Sequence, residues 1–128
     1  MADSTQRGTR IEFREITKIF KQKKARVKAL DHVSMTIEPG EIVGIIGYSG
    51  AGKSTIASLV TRLHDVTSGA VEIGGVDVRD LAFADLQRAV GMVTQDGHLF
   101  HETVRANLTL ARPDATDEQL WDAVERAR

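Results

Sequence analysis

Apolar and polar residues alternate in part along Ile11-Glu-Phe-Arg-Glu-Ile-Thr-Lys-Ile19, and this period of two predicts a strand. From Val27 to Ile37, the apolar residues Val27, Ala29, Val33, Met35 and Ile37 all fall at odd positions, which predicts a second. Glu38-Pro-Gly-Glu41 is a turn, because proline presets one central dihedral and glycine permits the next. Ile42-Val-Gly-Ile-Ile46 is continuously apolar, the pattern of a strand buried on both faces of a parallel sheet. A Gly-rich loop opens at Gly47, and a helical stretch runs from Lys53 to about Leu63. Val71-Glu-Ile73 and Val76-Asp-Val78 flank Gly74-Gly75, a hairpin pattern.

Leu81 to Ala89 reads as a short helix, and Val90-Gly-Met-Val93 as a second buried strand that ends at Thr94-Gln95. Thr103 to Leu110 reads as another helix. The last helix has the plainest start, since Thr116 with Gln119 three residues later forms a capping box after Pro113. Leu120, Trp121 and Val124 give it an apolar stripe. Together the elements predict an α/β fold, with residues 1–10 as a disordered tail and residues 11–128 as one domain.

Composition narrows the classes. The chain has 128 residues, 41% hydrophobic and 27% charged, which is ordinary globular composition and excludes wholesale disorder. It has no cysteine, which excludes disulfides and cysteine-ligated metal centres. No apolar run approaches the roughly 18 residues of a membrane span, and the first residues lack the apolar core of a secretory signal. The expectation is a soluble, cytoplasmic protein.

The net charge is -1, yet residues 1–28 carry nine Lys or Arg against three acids. The knot Lys21-Gln-Lys-Lys-Ala-Arg26 fits a nucleic-acid or anionic-membrane contact or, more simply, a solvated hairpin loop. No aromatic interleaves these charges, so no nucleic-acid partner is expected. A seam in composition follows. Lysine does not occur after Lys53, and after Ile56 the only isoleucine is Ile73.

One motif carries chemistry. Gly47-Tyr-Ser-Gly-Ala-Gly-Lys53-Ser54 fits G-x-x-x-x-G-K-[ST], a phosphate-binding loop, and it lies between a predicted buried strand and a predicted helix. Glycines at 47, 50 and 52 let successive N–H groups turn inward around an anion. The helix from Lys53 adds the positive end of its dipole. Lys53 supplies a full charge to the terminal phosphates, the Ser54 hydroxyl can ligand Mg²⁺, and Thr55 can donate to a phosphate oxygen. Gln95 ends the second buried strand, where its amide can reach Mg²⁺ and orient a water, or simply open a loop. Phe20 ends the first strand, where it can stack on a base or fill the small sheet's core. His32, His64, His98 and His101 show no metal-ligand spacing, and Asp77, Asp80 and Asp85 read as solvated turn and helix-start residues.

From Ile11 to its end the chain resembles the N-terminal part of an ATP-binding-cassette (ABC) transporter ATPase. The loop Gly47-Tyr-Ser-Gly-Ala-Gly-Lys-Ser-Thr55 is of the ABC type, and Thr94-Gln95-Asp96 matches the family's Q-loop. Phe20 falls where the family places its adenine-stacking aromatic. The resemblance implies a P-loop NTPase core with an incomplete, mostly parallel sheet, a small antiparallel β subdomain and the start of a helical subdomain. It implies Mg-ATP bound by Phe20, Val27, Gly47, Tyr48, Ser49, Gly50, Ala51, Gly52, Lys53, Ser54 and Thr55. Ser54 and Gln95 would hold Mg²⁺, with Gln95 also catalytic. The implied partners are a second nucleotide-binding domain and transmembrane domains, the latter touched by residues 95–107, at the cytoplasmic face of a membrane. The isolated chain is expected as a monomer or weak homo-oligomer.

Residues 11–55, with Ile16-Thr-Lys-Ile-Phe20 and Lys28-Ala-Leu-Asp-His-Val-Ser34, look like a methionine-importer ATPase. From about residue 56, Arg62-Leu-His-Asp-Val-Thr-Ser-Gly69, Gly75-Val-Asp-Val-Arg-Asp-Leu81 and His98-Leu-Phe-His-Glu-Thr-Val-Arg-Ala-Asn107 look like an exporter-type half-transporter. That change coincides with the seam, as a chimera would have it. The family's Leu-Ser-Gly-Gly-Gln signature, Walker B carboxylates, D-loop and switch histidine follow the Q-loop. None occurs in these 128 residues, so little hydrolysis is expected from this chain alone. Two rival readings are a half-domain that folds but binds nucleotide weakly, and part of another P-loop ATPase or kinase.

Overall fold

A computed structural model describes residues 8–22, 25–94 and 96–128. The chain divides into two compact units, Met1–Met92 and Val93–Arg128. In the first, β1 (Ile11–Gln22), β2 (Ala25–Ile37), β3 (Ser68–Ile73) and β4 (Val76–Asp77) form an antiparallel sheet in the order β2-β1-β3-β4. Helices α1 (Lys53–Val60) and α2 (Phe83–Ala89) contribute Leu59 and Leu86 to its core. Among the described residues, the other buried apolar side chains are Phe13, Ile16, Leu30, Val71, Ile73 and Val78.

Phe13 and Ile16 are three apart, so strict alternation would put them on opposite faces. The register of β1 on β2 shifts between them, and Glu15 takes a left-handed φ of 46°. This bulge inserts one residue and brings both side chains into the core. The bulge explains why the sequence alternates only in part. Gly69 lies against it. A Cβ on Gly69 would stand 2.4 Å from both the Arg14 and the Glu15 carbonyl oxygens, and its φ is +82°. Only glycine permits that approach.

Several predicted turns and helices are present. Glu41 N–H donates to Glu38 O at 3.0 Å across the Pro39-Gly40 turn. Gly74 and Gly75 have φ of 60° and 80°, the pair of positive values a type I′ hairpin needs between Ile73 and Val76. Ladder pairs Lys21–Arg26 and Gln22–Ala25 make the basic knot a hairpin end, whose residues 23 and 24 lie outside the described set. Of the predicted tail, residues 1–7 lie outside it too. Arg10 is tied in, because its carbonyl accepts from Gly74 N–H at 2.8 Å.

The parallel sheet is the main correction. Ile42–Ile46 enters no ladder with the described residues, and Ile42 and Ile46 are 98% and 99% exposed. Val90–Val93 enters none either. Val90 packs at the rim of the core, whereas Val93 is fully exposed. A parallel strand needs hydrogen-bonded neighbours and a covering layer on each face. The four described strands pair only with one another, and neither apolar run joins their ladders. What forms is a mixed α/β unit built on an antiparallel sheet.

The second unit holds α3 (Val104–Thr109) and α4 (Asp117–Arg126). Thr103 caps α3 by accepting from Ala106 N–H at 3.1 Å. The predicted capping box of α4 is complete: Gln119 N–H donates to Thr116 Oγ1, and Thr116 N–H to Gln119 Oε1. Leu120, Trp121 and Val124 line a groove of about 250 Å³ with Val104 and Leu108. Asn107 pins the loop before α3. Its Oδ1 accepts from Phe100 N–H at 2.7 Å, and its Nδ2 donates to the Phe100 and Thr103 carbonyls. No helix among the described residues is long and apolar enough to cross a membrane.

Candidate functional site

The Gly-rich loop leads directly into α1. Gly52 is the residue before the helix and has a φ of 88°, which starts the helix at Lys53. No side chain caps this end, and no acid lies in its first turn. The first N–H groups and the positive end of the helix dipole are therefore available to an anion. Gly50 also takes a left-handed φ, of 83°.

Gly52 further sets where the loop lies. A Cβ there would be 2.6 Å from Ala29 O and 2.7 Å from Leu30 Cδ2. The loop is thus seated on β2, and a side chain would lift it off. A cavity of about 400 Å³ opens between them, lined by Ala29, Ser49, Gly50, Gly52, Lys53, Ser54 and Thr55. The Lys53 ammonium folds back over the loop and donates to Gly47 O at 2.6 Å and Tyr48 O at 2.8 Å. Ala51 N–H closes the turn onto Tyr48 O at 3.1 Å. The Tyr48 side chain itself is almost wholly exposed.

Sequence reasoning missed Ala29. Its signal is slight, a small residue where a glycine loop must approach a strand. Two residues further along β2 is Val27, the direct cross-strand partner of Phe20 on β1. The half-buried Phe20 meets the His64 ring at 5.2 Å in an edge-on arrangement, and Lys18 Nζ lies 5.0 Å from its centroid. It is not among the buried core residues. Gln95 lies outside the described residues. No group of three or more His, Asp or Glu among the described residues is placed to hold a metal ion by itself.

Asp77, read from sequence as a solvated turn residue, is instead tied to Arg79 through two oxygens at 2.6–3.0 Å. Those hydrogen bonds hold its carboxyl below the usual range against the opposing effect of burial.

Residues 30–128 match the ABC transporter family. The chain belongs to that family. It is part of the family's ATP-binding domain, which excludes the other P-loop enzymes that the loop alone left open. Among its relatives, an uncharacterised ABC transporter ATP-binding protein of Haemophilus influenzae is 44% identical over 117 residues, 91% of this chain and 19% of that protein. A multidrug efflux ATP-binding/permease protein of Mycobacterium tuberculosis is 48% identical over 98 residues, 77% of this chain and 8% of its own length. A mycobactin import ATP-binding/permease protein of the same species is 44% identical over 102 residues, 80% of this chain and 12% of its own. The chain spans about a fifth or less of the curated relatives it matches.

A match of 117 residues in a chain of 128 necessarily runs through the seam near residues 53–56. Single ABC relatives therefore cover both sides of it. The comparisons lend no support to a join there, nor to a separate importer origin for residues 11–55.

Proposed function

We propose that this chain binds Mg-ATP through the phosphate loop. The observation that carries the proposal is the uncapped start of α1, where Lys53, Ser54 and Thr55 line a cavity seated on β2. The donors suit a compact polyanion: the backbone amides of a Gly-rich loop, a full positive charge and two hydroxyls. Backbone N–H groups of the loop and the first turn hold phosphate oxygens, and the Lys53 ammonium moves from the Gly47 and Tyr48 carbonyls to the terminal phosphates.

The Ser54 hydroxyl fits Mg²⁺, a hard cation that takes oxygen ligands and keeps phosphate oxygens and water for the rest of its shell. Bound there, the ion would neutralise charge between the terminal phosphates. Gln95 is the second proposed Mg²⁺ ligand and the orienter of water. Phe20, with Val27 opposite it, offers the adenine an apolar and aromatic platform at the hairpin end.

Residues 11–128 make up part of one nucleotide-binding domain in this reading. In a whole transporter it would pair with a second such domain and couple to transmembrane domains, at the cytoplasmic face of a membrane. Fusion of ATP-binding and permease segments in the names of several relatives supports that arrangement.

Calorimetric titration of Mg-ATP into the chain and into Lys53→Ala tests the proposal. A charge-assisted contact is worth roughly 1.5–3 kcal/mol, so the variant should bind about 10- to 100-fold more weakly. Equal binding by the two proteins, or binding by neither, defeats it.

A further inference from the structure

The ladder between β1 and β3 ends at the pair Thr17–Ser68. Phe20 lies three residues beyond, where β1 has a partner strand only on its β2 side. On the open side, the connection from α1 to β3 takes over. Thr67 N–H donates to Thr17 O at 2.8 Å, and Ile19 N–H donates to Thr67 Oγ1 at 2.9 Å. Two residues back, the Asp65 carbonyl accepts from Lys18 Nζ at 2.6 Å, and the ring of His64, one residue earlier still, abuts Phe20. A side-chain hydroxyl thus does the work of a missing strand and carries the ladder one step further, to the residue before Phe20.

The same connection starts at the C-terminus of α1. Arg62 takes a left-handed φ of 54°. Its N–H donates to Leu59 O at 3.2 Å and Leu63 N–H to Ser58 O at 2.9 Å, a complete Schellman ending. Arginine is held in that glycine-like conformation by its guanidinium, which donates to the Val78 and Leu81 carbonyls at 3.3 and 3.2 Å. The helix whose first turn lines the phosphate cavity is therefore tied, through a fixed ending and a short clasp, to the strand end that bears Phe20.

We propose that Thr67 is a positioning residue for nucleotide, holding Phe20 at a set distance from the phosphate loop. This rests on the reading of Phe20 as the base platform. Replacing Thr67 with valine keeps its shape and removes the acceptor of Ile19 N–H. Serine keeps the acceptor.

The test compares Mg-ATP with Mg-tripolyphosphate, which has the charge and no base, by calorimetry on the 128-residue chain. Thr67→Val should weaken ATP binding about 3- to 10-fold, the range of one hydrogen bond. It should leave tripolyphosphate binding within about 2-fold, and Thr67→Ser should restore ATP affinity. Phe20→Ala should cost ATP about 5- to 150-fold through lost stacking and leave tripolyphosphate unmoved. An equal fall for both ligands in Thr67→Val marks a purely structural residue and overturns the proposal. So does unchanged ATP binding in that variant. If Phe20→Ala binds ATP normally while Lys53→Ala does not, the platform fails and the phosphate-loop reading stands. Should wild type bind neither ligand, both are overturned.

Discussion

Two apolar segments of this chain begin with the same promise and end differently. Ile11–Ile19 alternates and becomes the central part of a sheet, with Phe13 and Ile16 at 2% and 0% exposure. Ile42–Ile46 is more uniformly apolar, yet it pairs with nothing described and leaves its isoleucines in solvent. The first segment finds its partners within the next sixty residues, in β2 and β3. The second has no strand partner and no covering layer among the described residues. Apolar patterning states that a segment needs burial; the supply of partners decides whether burial occurs.

The sharpest way to break this contrast is to empty the first segment. Phe13→Ala should cost about 3–5 kcal/mol, read as a lower denaturant midpoint. Gly69→Ala should cost about 2–4 kcal/mol, because the new methyl meets two bulge carbonyls and a positive φ is lost to strain. A normal midpoint for this variant would show that β3 does not seat on the bulge.

Thr116→Ala should weaken α4 by about 1 kcal/mol, seen as faster amide exchange in its first turn with residues 11–78 unaffected. A smaller effect is expected in acid. Arg79 holds the Asp77 carboxyl below its ordinary value near 3.8. The pair's contribution is therefore present in full above that value and lost as the pH falls through the lowered one. Asp77→Asn should flatten that part of the stability profile. Smallest of all, Ile46→Ala should stay within about 0.5 kcal/mol of wild type, since the side chain is in water already.

The loop geometry of the candidate site was legible because a phosphate-binding pattern fixes its spacing. Such a pattern places Gly, Lys and Ser at set intervals before a helix, and α1 does begin at Lys53. Gly74-Gly75 and the Thr116–Gln119 box were legible for the same reason, since each is a local geometry with a residue requirement. The bulges at Glu15 and His32 were not. Neither is glycine, asparagine or aspartate, and each left-handed φ is imposed by the cross-strand register. Arg62 escaped notice likewise, because the two carbonyls that anchor it lie 16 and 19 residues away. Ile42–Ile46 misled because a continuous apolar run reports hydrophobicity alone.

The 13 residues of β2 run along the margin of the sheet, with β1 on one side only. A straight margin of that length is a template on which a second copy can add its own strand, and growth can continue from there. Here the margin is broken by two shifts in register, between Val33 and Leu30 and between Leu30 and Lys28, and by the left-handed His32, and it carries Arg26, Lys28 and Asp31 as exposed charges. The irregularity at His32 and these charges thus make the margin a poor template for a second copy to extend.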